Sequence, residues 1–172
     1  MKYCIDTSSL IDLGERHYPE KLAIFKPIWT GLYTGISNGD IISVDLVKVE
    51  LEKRADDWRT NFCAKSADMF KMSQEIEQQY AKLVSLIEVN PKFPKNSARD
   101  RFFEGADLFL ISLAMCVDDG VVVTSETKNL SNYGLRPVCN ELGVKNMNLV
   151  EFFEAYKLGI SRFVPLVSKS VK

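Results

Sequence analysis

Tyr3-Cys4-Ile5-Asp6-Thr7-Ser8-Ser9-Leu10 and Val121-Val122-Val123-Thr124-Ser125-Glu126 are two versions of one pattern. Each is a short apolar run that stops at a small polar residue and an acid. Runs this short, apolar without alternation, read as strands buried on both faces. Ile41-Ile42-Ser43-Val44 is a third such run and Val144 to Met147 a weaker fourth. The stretches between them read as helices. Thr7-Ser8-Ser9 offers caps for a short helix through Leu13. Pro19-Glu20 opens a helical stretch carrying Leu22, Phe25, Trp29 and Leu32, which stops near Asn38-Gly39. Asp45 caps the next. Trp58 to Glu88 reads as one or two polar amphipathic helices, and residues 90–97 as a loop. A long apolar helix runs from Ala106 to Val117, and Asp118-Asp119-Gly120 turns the chain. Pro137 to Leu142 makes a short helix closed at Gly143, and Leu149 to Leu158 a last one. Buried strands alternating with helices predict an α/β fold, a parallel sheet covered on both faces. Ligands of such sheets bind beyond the carboxyl ends of the strands.

The chain has 172 residues, a length that suits one domain. Hydrophobic residues are 46% and charged residues 26%, which excludes a mainly disordered chain. Lys and Arg number 22 against 23 Asp and Glu, so no overall basic coating attracts nucleic acid, although a local patch is compatible with this balance. His17 is the single histidine, which excludes mechanisms needing two. Cys4, Cys63, Cys116 and Cys139 form no CxxC pair. Cys4 and Cys116 lie in apolar runs and read as buried thiols of a reduced, cytoplasmic protein. Asp6 follows the start too soon for an apolar leader, and no apolar run approaches the ~20 residues of a membrane span.

Four acids stand at informative places. Asp6 and Glu126 fall just past strands, where each also suits a capping or turn residue. Glu50 lies within the arc formed by Leu46, Val47, Val49 and Leu51 at ~100° per residue. A carboxylate on that side needs a partner, either a metal or Arg54 one turn on. Asp107 opens the apolar helix, as a cap, a ligand or both. Each element can present its acid at one edge of the sheet. Carboxylates clustered without histidine or thiolate suit Mg²⁺ or Mn²⁺, and such a cluster repels itself unless a cation sits in it. The chemistry this suggests is metal-assisted attack of water on a phosphodiester.

This ordered set resembles the PIN-domain ribonucleases, especially the toxins of toxin–antitoxin pairs. Tyr3 to Leu10 looks like their opening strand and aspartate, and Glu50-Leu51 falls at their Glu-Leu position. Ala106-Asp107-Leu108-Phe109-Leu110-Ile111 matches their third acidic site, and Val121 to Glu126 their strand-Thr-acid element. Arg16-His17-Tyr18-Pro19, Trp29, Gly105-Ala106-Asp107 and Pro137 to Val144 are similar to an uncharacterised PIN subfamily. Two positions depart: Glu126 stands where the family often has Asp, and Leu108 where the subfamily often has proline. The resemblance implies a PIN-like three-layer α/β/α domain over residues 1–158, with a central, mainly parallel four- or five-stranded sheet and an unassigned tail over 159–172. It implies a metal-dependent endoribonuclease. Asp6, Glu50 and Asp107 would hold Mg²⁺ or Mn²⁺, Glu126 would complete the site, and Ser8 and Thr124 would orient the acids. The substrate would be RNA exposed as a single strand, and the partners a cognate antitoxin protein and a second copy in a homodimer.

Lys92, Lys95, Arg99 and Arg101 precede Asp107 and are candidates for holding RNA phosphates, against the plainer reading of a solvated basic loop. Phe93, Phe102 and Phe103 interleave with them as base-stacking rings or as loop anchors. The segment 58–88 reads as an arm for a partner or as a cover for the sheet. Two rivals remain. A haloacid-dehalogenase type phosphatase also opens with a strand and aspartate, but its second aspartate is Ser8 here. The other is a catalytically silent PIN-like domain that binds protein or RNA.

Overall fold

The computed structural model describes residues 1–54 and 57–158; the tail from Gly159 lies outside them. Strand β1 (Lys2–Ile5) leads into α1 (Thr7–Ile11) and a π-helical turn (Asp12–His17). A 3₁₀ turn (Ala23–Phe25) precedes α2 (Lys26–Ser37), followed by β2 (Ile41–Val44) and α3 (Asp45–Glu52). Then come α4 (Asp57–Lys65), β3 (Phe70–Lys71), α5 (Gln74–Val89), α6 (Ser97–Glu104) and α7 (Ala106–Cys116). The described chain finishes with β4 (Gly120–Val123), α8 (Leu135–Glu141), β5 (Asn146–Met147) and α9 (Leu149–Tyr156).

The five strands form one parallel sheet in the order β3-β2-β1-β4-β5. Tyr3, Cys4 and Ile5 are all buried, as are Ile41 to Val44 and Val121 to Val123. Successive side chains on a strand point to opposite faces, so both faces of the sheet are covered and the architecture is three-layer α/β/α. Helix α7 packs on β1, β2 and β4, with α5 against it. Tyr80 of α5 stacks on Phe109 of α7 at 4.0 Å between ring centroids. Tyr3 instead meets Phe152 and Tyr156 of α9.

The chain builds outward from β1 to β2 and β3, then returns to place β4 on the other side of β1. The order therefore reverses between β1 and β4, and the crevice at such a reversal is where ligands of open α/β sheets bind. Register decides what meets there. Ile5 pairs with Val123, so Asp6 and Thr124 leave the sheet side by side. The Asp6 N–H still donates to the Val123 carbonyl at 3.1 Å.

Several local expectations give way. The helix expected from Pro19 begins at Lys26, where Pro27 fits the first turn because it needs no N–H partner there. Val44 and Gly105, not Asp45 and Asp107, occupy the cap positions of α3 and α7. The region 58–88 divides into α4 and α5 around β3, an edge strand of two residues with no room for a periodic signal. Residues 97–104 form α6, its first turn capped by Asn96 accepting from Ala98 N and Arg99 N. The last helix stops at Tyr156, where Lys157 turns left-handed at φ 55°. Cys116, at the end of α7, is exposed, whereas Cys4 is buried as expected; both are free thiols. No helix of the described residues is long and apolar enough to cross a membrane.

Candidate functional site

Beyond the ends of β1 and β4 lies a cleft of about 680 Å³. Asp6, Glu50, Asp107 and Glu126 all line it, with Ser8, Arg101 and Lys128 among their neighbours. The four acids come from four separate places: the ends of β1 and β4, the body of α3 and the first turn of α7.

Asp6 is 3% exposed. It is both the cap of α1 and a cleft residue. Its Oδ1 accepts from Ser9 N at 2.7 Å, and its Oδ2 accepts from the Ser8 and Thr124 hydroxyls, each at 2.6 Å. Burial pushes its pKa up, and these donors pull against the rise without cancelling it. Ser8 and Thr124 thus both hold Asp6, and Thr124 Oγ1 also accepts from Glu126 N at 3.1 Å.

Glu50 is half-buried. It pairs not with Arg54 but with two groups far along the chain. Thr7 Oγ1 donates to its Oε2, and Ala106 N donates to its Oε1 at 3.2 Å. Glu50 therefore supplies α7 with the acceptor that its own cap residue, Gly105, lacks. A Cβ on Gly105 would crowd the Arg101 carbonyl at 3.2 Å but would only touch Glu50 Oε1 at 3.8 Å, so the glycine eases the turn between α6 and α7 and not the approach of Glu50. Val49, expected on the inward arc, is instead 48% exposed.

Asp107 differs from the other three. Among the described residues no donor bonds to its carboxylate. Its pKa is pushed up to about 7, first by burial and then by the charges of Glu126, Asp6 and Glu50, with Lys128 opposing. Glu126 sits in the loop after β4. One of its oxygens takes the Lys128 ammonium at 2.5 Å and the other accepts from Leu135 N at 3.3 Å.

The basic residues separate. Arg101 reaches the cleft wall. Lys92 pairs with Glu141 at 2.7 Å. Arg99 bonds to Asp100 and lies over the Phe103 ring, while Lys95 lies along a separate groove with Val89 and Pro94. Phe93 and Phe102 are buried against Tyr133, so these two rings are anchors. The segment 58–88 covers other helices, with α4 on α3 and α5 on α7.

Lys128, which pairs with Glu126, and Thr7, which holds Glu50, are among the cleft residues that the sequence reading missed, as are Asn132 and Tyr133. Lys128 falls two positions past Glu126 and Thr7 directly follows Asp6, and that adjacency was the only available signal.

The donors are carboxylate and hydroxyl oxygens, a set suited to Mg²⁺ or Mn²⁺. No group of three or more acids, cysteines or histidines among the described residues is gathered into a ready-made metal cage. No curated protein and no solved structure matches this chain. A family model does match, over residues 3–160, and the chain belongs to that family, described as a domain of unknown function (DUF4411).

Proposed function

We propose that this protein is a metal-dependent endoribonuclease of PIN type, which hydrolyses RNA phosphodiesters in the cleft beyond β1 and β4. The observation that carries the reading is Asp107. Its carboxylate lies among three other acids with no hydrogen-bond donor among the described residues, and its pKa rises to about 7. Such a group is stabilised in its charged form by a cation.

Asp6, Glu50 and Asp107 would hold Mg²⁺ or Mn²⁺, and Glu126 would complete the site. When bound, the ion supplies charge neutralisation at the phosphate and a lowered pKa for a bound water. The chain's own residues supply the rest. Ser8 and Thr124 fix the Asp6 carboxylate through their hydroxyls, and Thr7 and the Ala106 N–H fix Glu50. Ligands held in this way lose little freedom when they engage an ion. Arg101, on the cleft wall, holds an RNA phosphate next to the acids. Water then attacks phosphorus and gives up a proton to solvent, the bond from phosphorus to the leaving oxygen breaks, and that oxygen takes up a proton from solvent.

The resemblance to toxins extends the proposal. The enzyme acts in the cytoplasm as the toxin of a type II pair, cuts exposed single strands, pairs as a homodimer and is silenced by an antitoxin that buries the cleft.

The test is cleavage of a mixed RNA pool with Mn²⁺, Mg²⁺ or EDTA, by wild type and Asp6→Asn in parallel. Metal-dependent cutting that the substitution abolishes supports the reading. A folded wild type that neither cuts RNA nor gains thermal stability from Mn²⁺ refutes it and leaves a silent binding domain.

A further inference from the structure

Lys128 is a cation set against the acids of a cleft proposed to take another cation. Its ammonium lies 2.5 Å from Glu126 Oε1. Its positive charge also acts on Asp107 and Asp6. Its side chain is 56% exposed, whereas that of Glu126 is 15% exposed.

We propose that Lys128 is a tethered counter-ion of the acid cleft, which occupies Glu126 when no metal is bound and competes with a divalent ion for the same carboxylates. The inference rests on the metal reading above and concerns how that site is kept when empty and how it is loaded.

Three features support it. First, four acids facing one cleft repel one another, and an ammonium at Glu126 offsets part of that repulsion. Second, the lysine can leave. Its stem is a flexible four-carbon chain and its side chain is 56% exposed, so water can take over the ammonium once it parts from Glu126. Third, Glu126 stays in place when it does, because its other oxygen is held by Leu135 N at the start of α8. Loading is then an exchange of one cation for another at a carboxylate that does not move. The exchange lowers the apparent metal affinity and offsets the repulsion among the acids while the site is empty.

The experiment is calorimetric titration of the whole chain with Mn²⁺ alone, for wild type, Lys128→Met and Lys128→Arg. Each variant is also melted in EDTA and in saturating Mn²⁺. Lys128→Met is expected to bind Mn²⁺ ~5–10-fold more tightly. It should melt below wild type in EDTA, with the gap closed by saturating Mn²⁺. Lys128→Arg keeps the charge and should stay near wild type in both readouts. Wild type that binds Mn²⁺ no more weakly than Lys128→Met overturns the counter-ion, and a parallel loss of RNA affinity in Lys128→Met would then assign the lysine to a phosphate. If neither wild type nor Lys128→Met binds Mn²⁺, the metal reading of the cleft fails, and the competition with it.

Discussion

Replacing Asp107 by Asn should make the metal-free protein more stable while removing the proposed nuclease activity. In the folded, metal-free chain the Asp107 carboxyl rises from 3.8 to about 7. Each tenfold change in proton affinity is worth ~1.36 kcal/mol, so ionising this group in the fold costs at most about 4 kcal/mol. The cleft is open to water and the four acids share the repulsion, which reduces the figure to about 2 kcal/mol. Because the folded pKa lies above the unfolded one, the folded state binds the extra proton between about 4 and about 7. Stability contributed by this site therefore falls as pH rises through that window and is flat above it. Asn carries no charge at any pH and escapes the penalty. At pH 8 in EDTA, Asp107→Asn should melt about 4–8 °C above wild type, at ~2–4 °C per kcal/mol for a chain of this size. At pH 4 the two should melt together. With Mn²⁺ the order should reverse, because wild type alone gains a ligand. Differential scanning calorimetry at the two pH values, with and without Mn²⁺, measures every arm. An Asn variant that is less stable than wild type at pH 8 in EDTA, or a gap that ignores pH, would refute the account of Asp107.

Thr124→Val removes one of the two hydroxyls on Asp6 Oδ2 and the acceptor of Glu126 N. Urea denaturation should show a loss of about 1–3 kcal/mol, the cost of leaving buried groups short of a partner. Arg101→Gln should weaken RNA binding and lower its salt slope by about 1. Lys92→Gln should leave both unchanged, since Lys92 is committed to Glu141; filter binding over a salt series reads both variants. Gly14→Ala would put a Cβ 1.9 Å from the Trp58 ring. It should cost about 1–3 kcal/mol through overpacking, with a change in tryptophan fluorescence as the ring is displaced.

Three apolar runs, each without alternation, already required a parallel sheet covered on both faces, because no strand with one face in water has that composition. Placing the acids at one edge followed from the same pattern, since Asp6 and Glu126 stand just past two of the runs. Element boundaries were legible where a single residue type forces them. Gly143, at φ 69°, closes its turn as expected because a side chain resists that conformation. Helix α6 was hidden because its cap, Asn96, follows a segment with two prolines that reads as loop, and its inward face offers little more than Phe102.

Contacts across long sequence distances belong to the tertiary structure. The register of β1 on β4 sets Thr124 against Asp6, 118 residues apart. The approach of α3 to α7 gives Glu50 to Ala106 N, across 56 residues. Packing of α6 turned Arg101 to the cleft, while Arg99 lies over Phe103, and it was folding that left Asp107 among charges with no donor among the described residues. Periodicity in a sequence reports which side of an element faces inward, because burial acts on each residue through its own element. It carries no record of which inward groups meet, because that depends on register and on the angle between elements, and these are fixed only when the whole core packs.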